Sequence, residues 1–156
     1  MISTFADLAQ LVEKGGINKI IRSNSTPERT LHIFACDCAE RILQKRQEKG
    51  QKIDFRLWKA IKYKRRWLAK EISDKKLESV RSGIQDVWDP SWVIPWNALR
   101  AFGKDAAFSI SSIAAQDANW SEEEWEWQRN RLTELINQQS QFIQQWQQDG
   151  EEKLFE

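Results

Sequence analysis

Apolar positions recur every three or four residues along most of this chain, the period of helices that each bury one face. From Ser25-Thr26-Pro27-Glu28, where a hydroxyl, a proline and an acid together mark a helix start, Leu31, Phe34, Ala35, Cys38, Ala39, Ile42 and Leu43 form one broad stripe. Gly50 closes that helix. Asp54 caps the next, on which Trp58, Ile61, Leu68 and Ile72 share a face widened by Leu57. Ser73 caps a further helix that carries Leu77, Val80, Ile84, Val87 and Trp88 as far as Asp89-Pro90.

Upstream, Ser3 or Thr4 opens a short helix through Phe5, Leu8, Ala9 and Val12 to Gly15-Gly16, and Ile17, Ile20 and Ile21 add one or two turns. Downstream, Pro95 begins a helix through Leu99, Phe102, Ala106, Ile110 and Ile113, with Gly103 as a candidate kink. Ser121 and Glu124 make a capping box for a last helix through Trp125, Leu132, Leu135, Ile136, Phe142, Ile143 and Trp146 to Gly150. The glutamines of its second half lie between spaced apolar residues and read as a solvated helix face. The pattern predicts an all-α, single-domain bundle of five or six helices over residues 1–150. It is arranged around a central helical hairpin, residues 29–72, and followed by a frayed tail, residues 151–156.

Composition narrows the function. A chain of 156 residues can bury roughly two thirds of its unfolded surface, enough for a core without disulfide or metal support. No apolar run approaches the ~20 residues of a membrane span, and the start MISTFADLAQ lacks a basic leader, so the expected compartment is the cytoplasm, with no membrane partner. Cys36 and Cys38 point to opposite sides of one helix and read as buried thiols; with a single histidine beside them, no metal or cofactor is expected. That histidine, His32, has no nucleophile at a recognisable spacing and reads as a packing or surface residue. No catalytic residue is assigned, and the protein is expected not to be an enzyme.

Charge is divided along the chain beneath a net +1. From Arg41 to Gly83 there are 15 Lys or Arg against 5 Asp or Glu, a balance of +10; from Asp117 to Glu156 there are 3 against 10, a balance of −7. Such a split lets the two halves attract each other, or steers a partner of opposite sign. The acidic candidates for partner binding are Glu122, Glu123, Glu124 and Glu126. The basic candidates, Arg56, Lys59, Lys62, Arg66 and Lys70, are interleaved with Trp58, Tyr63 and Trp67 and offer the alternative of a nucleic-acid-binding or regulatory module. Arg65 falls in the apolar series of its helix and therefore calls for an acid on the neighbouring one. Glu40, or failing that Asp37, predicts a buried pair that fixes the hairpin register.

The hairpin also resembles a family of helical immunity proteins that accompany bacterial polymorphic toxins. Cys38-Ala39-Glu40-Arg41 on the first helix, Asp54 and Arg56 at the start of the second, and Ala60-Ile61, Arg65, Trp67 and Glu71-Ile72 along it carry the resemblance, over about 45 residues. It implies a non-enzymatic interaction protein that binds and neutralises a toxin, with no catalytic residues to transfer. The tryptophan- and glutamine-rich C-terminal half departs from the family's pattern.

Overall fold

The computed structural model describes residues 17–23 and 26–154, and within them every regular element is helical. The order is α1 (Ile17–Arg22), α2 (Glu28–Glu48), α3 (Phe55–Leu68), α4 (Asp74–Ile84), a 3-10 turn (Pro90–Trp92), α5 (Val93–Ala98), α6 (Gly103–Asp117) and α7 (Glu122–Leu154). The helix expected through Phe5 and Val12, the Ser25 hydroxyl, the side chains of Phe142 and Ile143 and the last two residues of the tail lie outside the described residues. No described helix is long and apolar enough to cross a membrane.

The architecture is an all-α bundle in which α2 is the shared member. It packs most extensively on α6 and also meets α3, α5 and α7. Its predicted stripe is buried whole, and Thr30, His32 and Cys36 are buried as well, so its N-terminal half is enclosed on nearly every side. Gly50, at φ 93°, reverses the chain: its N–H donates to Gln47 O (2.9 Å) and the Gln51 N–H to Arg46 O (3.1 Å). Asp54 then caps α3 by accepting the Arg56 N–H at 2.9 Å, and Ser73 caps α4 by accepting the Lys76 N–H at 3.1 Å.

Four local expectations are corrected. Thr26 does not cap α2; its hydroxyl donates to Ile20 O at 2.7 Å, fastening α1, and Pro27 takes the cap position instead of the first turn. The helix expected from Pro95 divides into α5 and α6 across Leu99–Phe102 because Gly103 must approach α2 closely. A Cβ there would lie 3.0 Å from both Glu28 O and Leu31 Cβ, while the Gly103 N–H donates to the Glu28 carboxylate. Next, α4 stops at Ile84, so Trp88 falls beyond it, fully exposed instead of on the apolar face. Asp89 holds the corner, accepting the N–H groups of Asp54 and Ser91 at 2.8 Å each. Finally, Gly150 does not end α7, which continues to Leu154. From Asn137 to Asp149 none of its described side chains is buried, which leaves Trp146 70% exposed instead of in the core.

Candidate functional site

The buried face of α3 is turned by about one residue from the predicted stripe. Leu57, Ala60, Ile61 and Lys64 are buried, whereas Trp58, Arg65 and Leu68 are only half-buried. The interior cation is therefore Lys64. Its Nζ donates to Arg100 O at 2.8 Å and lies 4.4 Å from the Trp67 ring centroid, and burial lowers its pKa to about 8.

Against Trp67 lies His32, 2% exposed, with the two rings edge-to-face at 5.0 Å. His32 Nε2 is 3.1 Å from Glu28 Oε1, but the approach is off the N–H direction, and neither ring nitrogen has an aligned hydrogen-bond partner. Burial, reinforced by Lys64 and only partly opposed by Glu28, lowers its pKa to about 4, so the imidazole is neutral at pH 7. Burial likewise pushes the Cys36 thiol up to about 12 and the Cys38 thiol well above its usual range, which makes both unreactive at neutral pH. His32 and Trp67 line a groove of about 830 Å³, with Phe102 and Ile72 as further apolar wall.

Arg65 joins the two helices of the hairpin. Its Nε donates to Glu40 Oε1 at 2.9 Å and its second amino group to Asp37 Oδ1 at 2.7 Å, while Arg131 of α7 donates to the other Asp37 oxygen at 2.7 Å. Partial burial opposes the charge, but the bonds to Glu40 and Asp37 raise the guanidinium's pKa above its ordinary value. The Glu40–Arg65 contact is not buried: the side chains are 37% and 35% exposed because Arg65 sits at the edge of the α3 face. Arg65→Ala should accordingly cost about 1–2 kcal/mol, below the roughly 3–5 kcal/mol of a fully buried pair. Urea denaturation at pH 7 measures the difference.

The start of α7 is the most unusual stretch of surface. α6 ends with Asn119 N–H donating to Gln116 O (3.0 Å) and Trp120 N–H to Ala115 O (2.7 Å). Both residues are left-handed, φ 53° and 57°. Asparagine tolerates this region; a tryptophan there is strained by about 1–2 kcal/mol, yet its ring stays 59% exposed. Glu122, Glu123 and Glu126 are exposed beside it, with Glu122 reaching Arg129 at 2.6 Å.

Glu124 does not belong to that acidic face. It lies one helical turn before the buried Gln128 and is itself 1% exposed. Its carboxylate accepts from Arg41 Nε at 3.1 Å and Gln128 Nε2 at 3.3 Å, with Lys45 Nζ 3.7 Å away, while only its N–H meets the Ser121 hydroxyl. Together with the paired bonds from Arg46 to Asp117 (2.9 and 3.2 Å), it brings part of the chain's charge division inside the bundle.

On the opposite sign, Arg56, Lys59, Lys62, Arg66 and Lys70 are all exposed. Arg56 is paired with Asp54 (2.6 Å), whose carboxyl it holds down at about 2 chiefly by side-chain hydrogen bonding, and Arg66 with Glu71 (3.3 Å). Of the three interleaved rings, Tyr63 is surrounded by cations: Lys76, Arg66 and Lys59 lie 5.5, 5.6 and 6.0 Å from its centroid. Trp67 is half-buried, its Nε1 donating to the exposed Asp74 at 2.6 Å. Lys70 is left-handed (φ 61°) at the end of α3, a position that ordinarily takes glycine.

Sequence reasoning missed the His32 groove and the strained Trp120. The apolar series Leu57, Ala60, Ile61, Lys64 was a helical alternative to the one containing Arg65, but no periodicity reveals a left-handed tryptophan. Comparison of the chain with protein-family models, with curated proteins and with solved structures finds no match.

Proposed function

We propose that this protein is a non-enzymatic, cytoplasmic immunity-type protein that binds a toxin and neutralises it through the corner between α6 and α7. The observation that carries this reading is Trp120, held exposed in a strained backbone conformation beside Glu122, Glu123 and Glu126. Backbone strain retained at a surface accords with a binding role, and a large exposed ring is the kind of side chain that dominates interface energies. The flanking acids suit a basic partner surface, such as the substrate site of a toxin that acts on nucleic acid. The hairpin's resemblance to helical immunity proteins points the same way.

The test is direct binding to the product of a neighbouring toxin gene, followed by stopped-flow kinetics. A tight complex is expected. Trp120→Ala should weaken it by at least tenfold, and neutralising Glu122, Glu123 and Glu126 together should slow association and flatten its salt dependence. Unchanged rates in both variants would overturn the reading.

A second reading, a nucleic-acid-binding module, is favoured by the exposed cations around Tyr63 on α3 and α4. It requires affinity for single-stranded oligonucleotides that falls steeply with salt and drops in Lys59→Ala and Lys76→Ala variants.

A further inference from the structure

Two large apolar rings stand in solvent on one hydrogen-bonded corner of the fold: Phe55, 70% exposed, and Trp88, fully exposed. The Asp54 N–H donates to the Asp89 carboxylate at 2.8 Å, and these two residues adjoin Phe55 and Trp88 in the chain. Asp54 also caps α3 and Asp89 accepts the Ser91 N–H, so the backbone under both rings is held. From Phe55 one solvent-facing stripe of α3 runs on through Lys59, Lys62 and Arg66, at helical spacings of four, three and four residues, and Lys70 follows at its end. α4 adds the exposed Lys75 and Lys76, the second lying 5.5 Å from the Tyr63 ring centroid. Arg56 and Arg66 are paired with Asp54 and Glu71, but none of the five lysines forms a salt bridge among the described residues.

Lysines without acidic partners suit an anionic surface, and the position of the rings selects its kind. Stacking of nucleic-acid bases needs an open ring among the cations. The ring in that position, Tyr63, is half-buried and already has Lys59, Arg66 and Lys76 around it. The free rings, Phe55 and Trp88, stand at the end of the stripe on a rigid corner. A membrane surface matches this division, because lysines meet anionic headgroups while an indole and a phenyl ring enter the interface beside them. Attachment of this kind needs no spanning helix, whereas the sequence expectation of no membrane partner followed from the absence of a span and a leader. The cytoplasmic leaflet carries anionic lipids, so the site accords with a cytoplasmic protein.

We propose that the α3–α4 face docks on an anionic phospholipid surface, with Lys59, Lys62, Lys70, Lys75 and Lys76 on the headgroups and Phe55 and Trp88 inserted into the interface. The face is separate from the α6–α7 corner and does not depend on the toxin-binding reading.

The full chain is mixed with vesicles of equimolar phosphatidylglycerol and phosphatidylcholine, or of phosphatidylcholine alone, and bound protein is measured by co-sedimentation. It should bind the anionic vesicles only, and leave them as salt is raised from about 0.05 M to about 0.5 M. Replacing Lys59, Lys62 and Lys76 together with alanine should weaken binding by about tenfold or more. Trp88→Ala removes a fully exposed ring, so the fold is kept, and binding should fall by about threefold or more, as in Phe55→Ala. Lipid brominated on its acyl chains should quench tryptophan fluorescence in the parent and quench it less in Trp88→Ala. No binding to the anionic vesicles, equal binding to both compositions, or undiminished binding when Phe55→Ala and Trp88→Ala are combined would each overturn the proposal. A single-stranded oligonucleotide bound by a parent that ignores the vesicles would give the face to nucleic acid instead.

Discussion

Glu124→Ala should destabilise the protein by about 3 kcal/mol, read as a fall in the urea midpoint at pH 7. The carboxylate is 1% exposed and is reached by Arg41, Lys45 and Gln128. Removing it strands the Arg41 guanidinium, which is only 22% exposed and lies 4.4 Å from the Trp127 ring centroid, where it cannot recover full hydration. A double replacement, Arg41→Met with Glu124→Leu, should lose much less, because it removes the unpaired charge together with its partner. A loss below about 0.5 kcal/mol for Glu124→Ala would mean that Glu124 is a surface residue, as sequence reasoning placed it.

Acid should weaken the fold through His32 before the bulk of the carboxylates titrate. Its pKa is about 4 in the folded protein against 6.5 for the ordinary side chain, so between these values the unfolded chain binds the extra proton. The sign follows: stability attributable to this group is complete above about pH 6.5 and declines as pH falls towards 4. The full shift corresponds to about 3 kcal/mol. Denaturant midpoints taken at half-unit steps from pH 7 to 4.5 should therefore slope downwards in the parent and flatten in His32→Phe. Identical slopes would mean that contact with water or the Glu28 carboxylate, 3.1 Å from Nε2, offsets the burial of the imidazole.

The helical class and most helix starts were legible because caps and apolar periods are local properties: Asp54, Ser73 and Ser121 all accept the backbone N–H groups their positions imply. Errors arose where a distant segment decided the outcome. Gly103 reads locally as a weak point within a helix, but its contact with Glu28, 75 residues away, makes it a helix start. The two possible stripes of α3 differ by one residue, and which one turns inward is settled by α5 and the Arg100 carbonyl that receives Lys64. Glu124 reads from sequence as one of four acids on a partner-binding face or as a helix cap, whereas Arg41 on α2 draws its carboxylate inward. For the candidate site, charge and exposure of Glu122, Glu123, Glu126 and the five cations from Arg56 to Lys70 followed from sequence. The groove over His32 did not, since it exists only where three separated segments meet.

The central position of α2 also bears on how the chain is made. Its partners are synthesised late: Glu28 waits for Gly103, Arg41 for Glu124 and Asp37 for Arg131, at separations of 75, 83 and 94 residues. At a translation rate of about 5–20 residues per second, α2 leaves the ribosome several seconds before α6 and α7 exist. During that interval Leu31, Phe34 and Leu43 lack most of the surfaces that will cover them, although α3 is already available. Such long-range closure is slow for an all-helical protein, and it makes the newborn N-terminal half a natural client for chaperones.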